Sequence, residues 1–245
     1  PVIATKPVGS LTGQGYPTSL VHPDKLGVQP RIGISWRPIS GSSVLVKGGY
    51  GITDDTSVYQ TIAVGMAQQS PLSTSLSVPN STTCPLTLAM GFSPCSAVTA
   101  NTFAIDPNFR VGYLQSWNLS VQRDLPAALQ MTVTYRGSKG THGVQQFLPN
   151  TYPAGLTNPC PSCPSGFTYR TSGANSTRES GDIQMRRRLR AGFTATAQYF
   201  FSKSIDNASY LGGSAPVSGR SAQNWLNLGA ERGLSNFDQR HLLNL

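Results

Sequence analysis

Apolar and polar residues alternate along much of this chain, and the alternation has the period of a β-strand. In residues 31–37, Ile32, Ile34 and Trp36 fall on one side and Gly33, Ser35 and Arg37 on the other. In 44–53, Val44, Val46, Tyr50 and Ile52 oppose Leu45, Lys47, Gly49 and Thr53. In 111–123, Tyr113, Trp117, Leu119 and Val121 oppose Ser116, Asn118, Ser120 and Gln122, with Leu114 and Gln115 out of phase. The cleanest pattern is 129–138, where Leu129, Met131, Val133 and Tyr135 oppose Gln130, Thr132, Thr134 and Arg136. Ile183, Met185 and Leu189 then oppose Asp182, Gln184, Arg186 and Arg188; Phe193, Ala195, Ala197, Tyr199 and Phe201 oppose Thr194, Thr196, Gln198 and Ser202, with Phe200 as the exception. A last strand begins near Arg240. A helical period occurs once, in 58–69, where Val58, Ile62 and Met66 are spaced four apart.

The connections between these strands are as informative as the strands. Short connections (38–43, 124–128, 190–192) alternate with long ones (about 54–108, 139–181 and 204–239). A soluble sandwich has no reason to gather its long loops at one end, whereas an outer-membrane barrel has tight turns at one rim and long loops at the other. Strands of about 9–11 residues also suit a tilted crossing of the hydrocarbon layer. The pattern therefore predicts an all-β, antiparallel transmembrane β-barrel segment of about seven strands. Single-chain bacterial barrels carry an even number of strands, at least about 8, so the expected parent barrel is larger than this chain. Lipid cannot hydrogen-bond a backbone, so such strands must pair laterally and the sheet must close. Outer-membrane lipid is then the expected partner of the apolar face. Arg37, Lys47, Arg136, Gln184, Arg186 and Gln198 become the candidate lumen-lining residues. Trp36 and Phe193 fall beside short turns, and Tyr50, Tyr113 and Tyr135 toward the long-loop end, as aromatic girdles require. By parity Arg187 points at lipid, close to a short turn.

Composition agrees. Charged residues are only 12 % of the chain, about half the share usual in soluble domains, so its polarity comes mainly from uncharged side chains. The start of the chain lacks a basic segment followed by an apolar core and does not read as a signal peptide. The net charge of +9 fits a basic surface or lumen. It also raises nucleic-acid binding, but the basic residues are dispersed apart from Arg186, Arg187, Arg188 and Arg190, with no recognition helix beside them, so no nucleic-acid partner is expected. Cys84, Cys95, Cys160 and Cys163 lie in Pro/Ser/Thr-rich stretches that read as loops outside the cytosol. They are candidate disulfides, most simply Cys84 with Cys95 and Cys160 with Cys163, although sequence leaves the connectivity open. A redox or metal role for the CPSC segment fits less well, because prolines surround it and no second close ligand pair is near. Ser235, Asp238 and His241 have the residue types of a hydrolase triad, but adjacency in sequence is no sign of triad geometry. No catalytic residue, metal site or cofactor is expected.

Six segments in order resemble the Oar-like β-barrel region of TonB-dependent receptors. PRIGISWRP (30–38) resembles the family's PRxGxxxRP strand, and VKGGYGITDD (46–55) resembles the xRGGYGxFYD strand that follows it. LQSWNLSVQRDLP (114–126) resembles xQxWNLSxQRELP, and VTYRGSKGTH (133–142) resembles xxYVGSKGTH. MRRRLRAGFTATAQYFFSKSID (185–206) resembles xxRRxxxGxxxxxxYTxSKSID, and LSNFDQRHLLNL (234–245) resembles xSDFDxRHxxxx. The resemblance implies a barrel of about 22 strands with an N-terminal plug. It also implies a coupling box contacted by the TonB complex and import of a bulky nutrient such as an oligosaccharide or siderophore-like ligand. Neither plug nor box is recognisable in this sequence. The resemblance suggests a structural role for Asp238, Arg240 and His241, as ion-paired residues fixing a loop re-entry corner. The competing reading is a secreted soluble β-sandwich or adhesin-like binding module, which would bury the apolar faces between two sheets.

Overall fold

The computed structural model describes residues 17, 21–25, 27–69, 73, 102–164, 166–188, 192–208 and 222–245. The alternating segments become one sheet of nine strands. In chain order these are β1 (Arg31–Trp36), β2 (Leu45–Asp54), β3 (Phe103–Ile105), β4 (Tyr113–Leu125), β5 (Leu129–Phe147), β6 (Thr168–Arg188), β7 (Thr194–Asp206), β8 (Gly233–Leu234) and β9 (His241–Asn244). The wall runs β1-β2-β4-β5-β6-β7, each neighbour antiparallel, and β9 continues it beside β7. The short β3 is the exception: it lies parallel to the far end of β6. One helix, α1 (Val58–Ala67), occupies the connection after β2. Short and long connections alternate as the sequence predicts.

Two expectations need correcting. The predicted loop 139–181 shrinks to 148–167, because β5 and β6 remain paired well beyond the apolar belt, out to Phe147 and Tyr169. Polar and glycine residues outnumber apolar ones on both faces there, so the strand period fades from the sequence while the backbone pairing continues. The ladder is irregular between Gly140 and Gly143 and again to Gln145, and His142 has a left-handed backbone (φ 57) at that break. The strand count rises because β3 and β8 are too short to show any period.

Residue register sorts the side chains onto two faces. One ladder row reads Trp36, Val46, Val121, Val133, Ile183, Tyr199 and Leu243; the next reads Ile34, Gly48, Leu119, Tyr135, Gly181, Phe201 and His241. These apolar residues share a face that nothing among the described residues covers: Ile34 is 66 % exposed, Trp36 59 % and Leu119 51 %. Each such side chain left in water forgoes about 1.5–3 kcal/mol of burial, so an aqueous surface of this kind is not sustainable. A two-sheet sandwich, which would pack this face against a second layer, is not what the chain forms.

The hairpins are also staggered. Val46 pairs with Val121 and Val121 with Val133, so the first hairpin closes four residues above Leu129, where the second closes. Such a slide from hairpin to hairpin is what strand tilt in a barrel wall produces.

The hydrophobic core sits elsewhere, in the connection between β2 and β4. Val58, Ile62 and Met66 of α1 pack on Ile105 and Phe109. The side-chain amide of Gln69 completes the join: it donates to the Phe103 carbonyl (2.6 Å) and accepts from the Phe103 N–H (3.0 Å). A Cβ on Gly65 would press against the Phe103 ring at 3.1 Å, so the close approach of α1 to β3 depends on that glycine.

Candidate functional site

The face opposite the apolar belt is mainly polar. Lys47, Ser120, Thr134 and Asp182 form one of its rows, which ends on Phe200 and Leu242, and Arg136 aligns with Asn118 and Ser180 in the next. Lys47, Arg136, Gln184, Arg186 and Gln198 therefore share a face by register. Arg37 lies just past the end of β1, exposed and outside the ladder, so strand parity does not assign it a face. The centre of the polar face is an ion pair. Asp182 is buried, and Arg136 Nη1 donates to its Oδ1 while Gln198 Nε2 donates to its Oδ2 at 3.0 Å. The Arg136 side chain is still half exposed, so its guanidinium is anchored at one edge and open at the other.

Beside this pair is a cavity of about 440 Å³. Arg136, Arg178, Ser138, Ser180 and Ser202 line it together with the apolar side chains of Phe200 and Leu242. A single cavity lined from β4, β5, β6, β7 and β9 requires the sheet to curve around its polar face. Sequence reasoning missed Arg178 and the partner role of Asp182. The period of two does not reach Arg178 from the apolar side, although Ser176, Arg178, Ser180, Asp182 and Gln184 form a continuous polar series at strand spacing. That series was the available signal.

On the apolar face, tyrosines mark the upper edge of the belt. The Tyr50 hydroxyl donates to Gln115 Oε1 at 3.0 Å and the Tyr135 hydroxyl to Glu179 Oε2 at 2.5 Å; both acceptors lie toward the long connections. The Trp117 ring fills the space where a side chain at Gly137 would stand, since a Cβ there would collide with it. From Trp117 to Leu125 the belt runs about 27 Å along the strand at ~3.4 Å per residue. Arg187 lies one residue from the last β6–β7 pair, near the short-turn rim as expected. Arg123 lies on that same face, near the same rim.

Residues 3–245 match the family model described as an outer membrane beta barrel domain. The chain belongs to that family. This outer-membrane barrel domain resides in the bacterial outer membrane. No curated protein and no solved structure matches the chain. Barrel domains of this kind turn an apolar band about 25 Å tall toward hydrocarbon, with aromatic girdles at its edges. Tilted by about 35–45°, the uncovered belt of this domain stands about 19–22 Å tall, somewhat short of that band.

The remaining motifs resolve into scaffolding. Asp238 accepts from the Ser204 N–H at 2.7 Å, Ser235 Oγ donates to Ser204 Oγ at 3.0 Å, and Ser202 Oγ donates to the Gln239 carbonyl at 2.6 Å. The re-entry corner is thus stitched to β7 by hydrogen bonds, and not by the expected ion pair with Arg240. His241 turns to the other face, where its Nδ1 meets the Tyr199 hydroxyl at 2.7 Å, so Ser235, Asp238 and His241 do not converge. Cys160 and Cys163 form a disulfide in the 148–167 connection. Cys84 and Cys95 lie outside the described residues. Above the belt, Arg170 is buried, donates to Gln146 Oε1 at 3.1 Å and sits 5.0 Å from the Phe103 ring centre. Burial pushes its guanidinium below the ordinary value, but an arginine remains charged at any physiological pH.

Proposed function

We propose that this domain is part of the wall of a TonB-dependent receptor that binds and imports a bulky, hydrophilic nutrient. The observation that carries the reading is the opposition of two surfaces on one curved sheet. One is apolar and uncovered; the other is polar and indented by a cavity. The first suits contact with outer-membrane lipid, and the second suits a wet passage. The six ordered motif resemblances support the receptor assignment, and the long connections at one rim supply the surface for capture. Oligosaccharides and siderophore-like compounds are the ligand classes in view. The contact with the TonB complex would be made by a plug and coupling box elsewhere in the same protein.

The test is direct. The full-length gene product, purified from outer membranes, is expected to bind the periplasmic domain of TonB, and a peptide of its own coupling box should compete. A full-length protein that lacks a coupling box and shows no TonB binding would overturn the receptor reading. It would leave the outer-membrane barrel assignment untouched.

A further inference from the structure

We infer that the cavity on the polar face is an oxyanion-recognition site, so that the solute handled here carries carboxylate or phosphate groups on a hydroxyl-rich body. The inference deepens the proposed import function, on which it rests in taking this face as water-filled.

Two guanidinium groups define the site, and they differ in a telling way. Arg136 is anchored. Its partner Asp182 is buried and is itself held by Gln198, which limits the directions the Arg136 fork can take. Arg178 is exposed, and among the described residues its side chain has neither an acidic nor a hydrogen-bonding partner. On adjacent strands Arg178 pairs in register with Ser138 and Ser204, and Arg136 with Asn118 and Ser180. Both guanidinium groups border the same cavity. Asp182 offsets one positive charge, and no acid is among the residues that line the cavity, which leaves it with a net positive charge.

Planar guanidinium forks match the geometry of carboxylate and phosphate, and charge-assisted bonds of this kind are about twice as strong as neutral ones. The Ser138 hydroxyl can donate and accept, and Ser180, whose hydroxyl donates to the Arg136 carbonyl, can still accept, so the two suit the hydroxyls of a sugar-like body. At about 440 Å³ the cavity falls in the usual size range of small-ligand sites. A neutral sugar would satisfy the serines but would leave Arg178 without a counter-charge, which gives the site its selectivity.

The experiment is isothermal titration of the full-length protein, purified in detergent, with glucuronate, glucose 6-phosphate and glucose. Binding of either acid, weakened by added salt, with no heat from glucose, is the expected result. Whichever acid binds identifies the preferred oxyanion. Arg178→Gln should weaken that binding about tenfold or more, the usual scale for a hydrogen bond to a charged group. Lys203→Gln, which removes the same charge from the opposite face, should leave binding unchanged. Equal binding of glucose, no binding of either acid, or an Arg178→Gln protein that binds like the parent would overturn the inference. Labelling of Ser138→Cys by a water-soluble maleimide separates the two levels of the argument. A labelled site that binds no acid removes only the oxyanion assignment, whereas an unlabelled one removes the wet passage as well.

Discussion

The wall and the cap of this molecule use the same apolar residues in opposite ways. In the wall, Ile34, Leu119, Val133 and Tyr199 stand uncovered on one face of the sheet. In the cap above it, Val58, Ile62, Met66, Ile105 and Phe109 are buried against one another. The difference teaches that burial is defined by the solvent. The cap stands where water is the medium and must make its own core. The wall has no core of its own, because hydrocarbon takes the place of a second layer.

Substitutions should break the two regions by different rules. The largest effect is expected in the cap, where Ile105→Ala should cost about 2–5 kcal/mol locally. Limited proteolysis is expected to show cleavage within 55–110 while the wall stays intact. Next comes a charge on the belt. Val133→Arg, near the centre of the apolar rows, should cost about 2–4 kcal/mol in refolding titrations into lipid vesicles. Ser120→Arg, on the polar face, should cost well under half of that. A smaller loss, about 1–2 kcal/mol, is expected for Asp182→Ala, which leaves Arg136 without its partner; the exposure of Arg136 keeps the value below that of a fully buried pair. The same titrations would measure it. The smallest effect has the opposite sign. Ala127 and Ala128 turn the β4–β5 hairpin with φ of 62 and 56, a left-handed conformation that costs a non-glycine residue about 1 kcal/mol or more. Ala128→Gly should therefore stabilise the wall by up to about 1 kcal/mol, read as a higher denaturation midpoint.

The contrast also explains what the sequence made legible. The wall was readable because a two-faced sheet imprints a period of two, and the hairpins follow from where that period breaks. The α1 helix was readable from Val58, Ile62 and Met66, which prove to be its buried face. The ends of β5 and β6 were not readable, since polar residues such as Gln145, Gln146 and Arg170 are buried there beside Phe147 and Ala174, so burial does not follow an apolar–polar alternation. The candidate site was half legible for the same reason. Parity placed Lys47, Arg136, Gln184, Arg186 and Gln198 on one face, but it had no apolar counterpart by which to place Arg178. Nor could parity foresee that Asp182 would hold Arg136, because that pairing depends on which residues meet across β5 and β6.

Spin labels placed one at a time from Met131 to Arg136, in the full-length protein in lipid vesicles, would test the two-faced wall most directly. Labels at 131, 133 and 135 are expected to be relaxed by oxygen dissolved in the lipid, and labels at 132, 134 and 136 by a water-soluble paramagnetic reagent. Equal exposure of both sets to the water-soluble reagent, or shielding of the odd-numbered set from both, would contradict the account.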